Sequence, residues 1–167
     1  MTPSELQTFA DHMAANTDQT VIDALADGSN NVLLGWYNQT AVPDYWIYRA
    51  TVPTSDVRDS INMQNLADIT AADLDRVEAM LNIRSERGFD GSDDSDRSAW
   101  DDVFSAAAGD ESQQAIALLW ARIALNVETV FKTSTGTGAD RANADTTTFQ
   151  GSASIQDVRG AVALIGA

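Results

Sequence analysis

His12 is the single histidine of the 167-residue chain, and there is no cysteine at all. Those two counts remove most nucleophile–base pairs, thiolate chemistry and nearly every zinc site, which need a base or several soft or nitrogen ligands. His12 falls between apolar positions of a helical pattern, with no serine or carboxylate constellation around it. A structural or surface role is expected.

Two short stretches carry a stronger chemical suggestion. Asp90-Gly91-Ser92-Asp93-Asp94-Ser95-Asp96 packs several oxygens into one loop, as a hard cation requires. The EF-hand spacing fails, because the glycine is misplaced and position twelve from Asp90 is Asp101. A solvated acidic loop, with Ser95 or Asp96 capping the next helix, is the plainer reading. Ser134-Thr135-Gly136-Thr137-Gly138 imitates a phosphate-cradling loop. It lacks the Gly-Lys-Ser/Thr step opening a helix, so flexibility is expected instead. Carboxylate pairs carry no weight among 25 acids, since chance pairs are certain.

Aromatic residues form the remaining constellation. Trp36, Tyr37, Tyr45, Trp46 and Tyr48 crowd into thirteen residues. They suit core packing around a bend at Pro43, contact between subunits, or stacking on a small ligand. Together with Trp120, Phe131 and Phe149 they are the candidate interface residues. No catalytic, cofactor-binding or metal-binding residue is assigned.

These residues need elements to hold them. Thr2-Pro3-Ser4-Glu5 has the form of a capping box ahead of Leu6, Phe9, Ala10 and Met13. Val21, Ile22 and Leu25 form a second helix stopped by Gly28, and Val32, Leu33, Trp36 and Tyr37 a third. Pro43 and Pro53 bracket an extended aromatic segment. Thr54-Ser55-Asp56 caps a helical turn, and 61–69 is ambiguous. Thr70 opens a helix through Leu74, Val77, Met80 and Leu81 that Gly88 ends. Trp100, Val103, Phe104 and Ala107 mark another, closing near Gly109. From Glu111 to Lys132 the pattern predicts one long helix, apolar over most of its circumference and therefore buried. Residues 133–151 offer little to bury and read as a mobile loop or arm, with a short strand near Thr147–Gln150. Ser154-Ile155-Gln156-Asp157 caps a last helix. The expectation is a mainly α fold and one domain. Its parts are a small helical bundle over 1–132, the arm over 133–151 and a C-terminal helix over 152–167.

The charge balance is extreme: 10 bases against 25 acids, 20 of them Asp, for a net −15. It fits a salty setting or a GC-rich genome, and it opposes nucleic-acid binding, which needs clustered Lys and Arg. The N-terminus lacks a signal-peptide pattern and no apolar run approaches a membrane span, so no membrane is expected.

Several segments together resemble a family of small tailed-phage and prophage virion proteins. They are Gly35-Trp36-Tyr37-Asn38, then Pro43-Asp44-Tyr45-Trp46-Ile47-Tyr48-Arg49, then Val52-Pro53-Thr54-Ser55-Asp56-Val57. Near the C-terminus Val130-Phe131-Lys132-Thr133-Ser134-Thr135-Gly136-Thr137-Gly138 and Phe149-Gln150-Gly151-Ser152-Ala153-Ser154-Ile155-Gln156-Asp157-Val158 continue the likeness. The basic segment that the family carries before its Phe-containing stretch is replaced here by Trp120-Ala121-Arg122-Ile123. The resemblance implies a head–tail connector or adaptor, with no active site and no cofactor. It implies a homo-oligomeric ring, twelvefold, meeting portal protein on one side and tail or stopper proteins on the other. Packaged DNA would pass through its lumen unbound. Such a protein is made in the host cytoplasm and ends in the neck of the virion. Head-completion, stopper or tail-terminator proteins are neighbouring readings. A non-viral acidic module binding a cation through Asp90–Asp96 is the reading from another class.

Overall fold

A computed structural model describes residues 1–105 and 110–165. The chain is mainly helical. Its elements run α1 (Pro3–Ala15), α2 (Gln19–Ala26), α3 (Asn30–Tyr37), β1 (Trp46–Tyr48), α4 (Thr54–Asp59), α5 (Met63–Asp68) and α6 (Ala71–Ile83). After these come α7 (Asp94–Phe104), α8 (Asp110–Ala117), β2 (Ala121–Ile123), α9 (Asn126–Val130) and α10 (Ile155–Ile165). The expected helix closure at Ala107–Gly109 lies outside the described residues.

Helix starts follow the caps legible in the sequence. Thr2 accepts from the Glu5 N–H while Glu5 accepts from the Thr2 N–H, and Pro3 occupies the first turn. Asp18 and Asn62 cap α2 and α5 through the N–H of Thr20 and Gln64. Thr70 caps α6 by accepting from Asp73 N–H at 3.2 Å, and it is exposed. Thr70→Ala should therefore cost about 1 kcal/mol with no packing loss, seen as a lower urea midpoint at unchanged m-value.

Residues Met1–Ile47 with Ile123–Ala167 form one compact unit, and Tyr48–Arg122 a second. Each has its own hydrophobic core. In unit 1, Phe9, Ala10 and Met13 of α1 pack with Val21, Ala24, Leu33, Tyr37, Val127, Phe131, Val158 and Ala161. Phe9 meets Tyr37 edge-on at 4.8 Å. The amino terminus closes on Asp157 of α10 at 3.0 Å. In unit 2, Val52, Val57, Val77, Phe89, Trp100, Val103, Phe104, Ile116 and Trp120 form the core. Trp100 stacks on Phe104 and takes the edge of Phe89 at 5.5 Å.

The largest departure from expectation is the 111–132 helix. It is three elements: α8, then β2, then α9. Ala124 N–H donates to Tyr45 O and Arg49 N–H to Trp120 O, both at 2.8 Å, in an antiparallel register. A run that is apolar all round suits a buried strand as well as a buried helix, and periodicity cannot separate them. Backbone pairing with β1 decides between them here. Glu128 then accepts from Leu125 N–H at 2.8 Å and restarts the helix as α9.

Candidate functional site

Segments far apart in the chain converge inside unit 1, and a buried carboxylate organises the meeting. Asp145 has no exposed surface. Its Oδ1 accepts from the N–H groups of Thr135 at 2.8 Å and Gly136 at 3.2 Å, and from the Thr135 hydroxyl at 3.0 Å. Its Oδ2 accepts from the Tyr45 hydroxyl at 2.7 Å and Ser134 N–H at 3.1 Å. Burial alone would raise its pKa, but the Tyr45 hydroxyl and the loop N–H groups outweigh burial and hold the carboxyl well below the usual range. Tyr45 feels the reverse: burial first, then the Asp145 hydrogen bond and charge, push its hydroxyl up to about 12.

The loop that wraps Asp145 is the Ser134–Gly138 segment. Its successive N–H groups do form an anion nest, and the anion is the chain's own Asp145. Ser134 and Gly138 have φ of 62° and 67°. A side chain at Gly136 would strike Ala144 O, and one at Gly138 the Tyr45 ring, so both positions need glycine for close approach. The 133–151 segment, read from its composition as a mobile loop or arm with little to bury, does bury one charged group, Asp145. Its polar groups are spent on a buried carboxylate, with further ties from Trp46 N–H to Gly138 O and Asp145 N–H to Trp46 O. Near its end the expected strand is a single bridge, Lys132 to Thr147.

Other motif residues join the same unit. Asn38 and Ala153 exchange two hydrogen bonds, 3.0 and 2.8 Å, across 115 residues of chain. Glu128, fully buried, accepts from Gly151 N–H at 2.7 Å. Asn126 holds Trp36 O at 2.8 Å. Lys132 lies over the Tyr45 ring and Arg141 over Trp46, at 5.6 and 4.7 Å. Composition hid the two carboxylates among 25 acids; only the glycines and threonines before Asp145 hinted at their setting.

The eight candidate interface residues separate by burial. Tyr37 and Phe131 lie in the unit 1 core and Trp120 in that of unit 2, so they have almost no surface to offer. Trp36 and Phe149 are half-buried against the unit 1 core, and Phe149 meets Phe131 at 5.3 Å. Tyr45 and Trp46 are half-buried in unit 1, while Tyr48, in unit 2, lies under Arg97 at 4.4 Å. His12 contacts the Tyr37 hydroxyl at 3.2 Å. Burial, then the Lys132 charge, lowers the His12 pKa, and burial first raises that of Tyr37 to about 12.

The acidic loop is committed to local structure. Asp90 accepts from Ser92, and Asp93 from Ser95, which makes Asp93 the cap of α7 in place of the expected Ser95 or Asp96. Asp96 is buried, bonded to Arg84 at 2.6 Å and to Asp90 N–H at 3.0 Å. Among the described residues no group of three or more His, Cys, Asp or Glu could hold a metal ion. Added calcium at millimolar concentration should leave the thermal midpoint unmoved, since the Asp96 oxygens are taken; a rise of several degrees would contradict this.

Compared with known proteins, the chain matches no family model, no curated protein and no solved structure. No described helix is long and apolar enough to cross a membrane.

Proposed function

We propose that the chain is a non-enzymatic structural protein of a tailed-phage particle, acting at the head–tail joint as a ring-forming connector or adaptor. One observation carries this reading. Four of the five segments that resemble the phage family are knitted together within unit 1, wholly or through Ile47, although up to 115 residues separate their bonded members. Their side chains hold backbone in place: Asn38 fixes Ala153, Asp145 fixes the 134–136 loop, and Glu128 fixes Gly151. Each buried carboxylate takes backbone donors, an arrangement suited to shape and not to proton transfer.

Surface chemistry supports the same role. Val42 is 91% exposed beside Pro43, where the motif segment turns outward, an apolar knob that a neighbouring copy would cover. A ring of twelve copies would carry a net charge of about −180, and an acidic lumen would let DNA slide by denying it phosphate contacts.

Sedimentation of the purified chain tests the proposal. Large rings, or co-sedimentation with portal assemblies from the same gene neighbourhood, are expected. A chain that stays monomeric and never joins portal assemblies overturns it.

A further inference from the structure

Unit 2 contains a cleft of about 440 Å³ between the 51–58 stretch and the turn at 85–88, lined among others by Thr51, Arg58, Ser85, Glu86 and Arg87. Its walls are fixed. Val52 and Phe89 exchange backbone hydrogen bonds of 2.7 and 2.9 Å, and the Thr54 hydroxyl donates to Arg84 O at 2.6 Å. Gly88 permits this approach. Its φ is +71°, and a Cβ there would lie 2.5 Å from Val52 O.

Charge makes the cleft unusual. Acids outnumber bases 25 to 10, so an arginine should readily meet a carboxylate. Arg49, Arg76, Arg84 and Arg97 each do. Among the described residues Arg58, Arg87 and Arg159 form no ion pair with a carboxylate, and the first two of these lie together on this one cleft. Glu86 offsets one of the two charges, leaving a local excess of +1 on a chain of −15. A guanidinium offers a planar fork of donors matched to two oxygens of a carboxylate or phosphate. The hydroxyls of Thr51 and Ser85 add donors of the same kind.

We propose that this cleft binds an oxyanion, a phosphate or carboxylate group gripped by Arg58 and Arg87. The group can arrive as a free anion or as an acidic side chain on a second copy of this chain. The site stands independently of the role argued above.

Both arginines are exposed, so R58Q/R87Q should fold normally, which circular dichroism checks. Titration of the wild-type chain with inorganic phosphate should shift the backbone amides of 51–58 and 85–88. The double variant should need at least tenfold more phosphate for the same shift. Sedimentation velocity over a concentration series separates the sources. Self-association that the double variant loses and phosphate reverses identifies a carboxylate of a second copy. Phosphate shifts without such association identify a free anion. Shifts equal in wild type and variant, or no shifts together with association insensitive to the variant, overturn the proposal.

Discussion

Asp145→Ala should be among the most damaging single substitutions in this protein, lowering stability by about 3 kcal/mol or more. The alanine removes the acceptor for the N–H groups of Ser134, Thr135 and Gly136 and for the Tyr45 hydroxyl. Those donors are held by a loop that has little else to pack with, so they cannot all turn to water without the loop opening. Each buried donor left without a partner costs on the order of 1–3 kcal/mol, and partial opening of the loop offsets some of that sum. Asp145→Asn should be milder yet still costly. It keeps one acceptor oxygen but turns an NH2 group toward donors. Urea denaturation of the three proteins at neutral pH checks the ranking.

The same carboxylate sets an acid dependence whose sign follows from its lowered pKa. A carboxyl that ionises more readily when folded stabilises the fold at pH above its unfolded value, near 3.9. That contribution fades as pH falls below about 4, toward the folded value. The stability gap between wild type and Asp145→Ala should therefore be widest near neutrality and narrow steadily below pH 4. A gap that is constant from pH 7 to pH 2.5 would mean that the charge on Asp145 contributes nothing.

Capping residues were legible because they act locally. Thr2 with Glu5, Thr70 with Asp73 and Ser154 with Asp157 each make their bonds within three residues, which a one-dimensional pattern can carry. Core positions such as Phe9, Met13, Leu33 and Val77 were legible through their spacing. The stretch from 118 to 125 was not, because its conformation is decided by β1, some seventy residues earlier. Nor was the fate of 133–151. An apolar count registers what a segment can bury by hydrophobicity, and this one buries a carboxylate by hydrogen bonding. Asp93, and not Ser95 or Asp96, caps α7 because Asp96 turns inward to Arg84, a tertiary contact invisible to local reading. The two units leave no local mark in the sequence for a related reason. Unit 1 is made of both ends of the chain, so no linker composition marks its boundary.

Phe9→Ala is the second large effect, and it follows from how unit 1 joins its two ends. Phe9 is fully buried on α1, edge-on to Tyr37 at 4.8 Å and 6.5 Å from Phe131. It thus touches side chains from both the first forty residues and the C-terminal part. Truncating a buried phenylalanine to alanine costs about 3–5 kcal/mol, through lost transfer energy and the cavity left behind. A ring between ridged helices has few neighbours able to collapse into its space, which favours the upper part of that range. The loss should be concentrated in unit 1. Hydrogen exchange should quicken for amides of α1, α3, α9 and α10, while α6 and α7 around Trp100 and Val77 keep more of their protection. If α6 and α7 lost protection in equal measure, the two cores would be one cooperative unit, and the separate hydrophobic clusters would have no energetic counterpart.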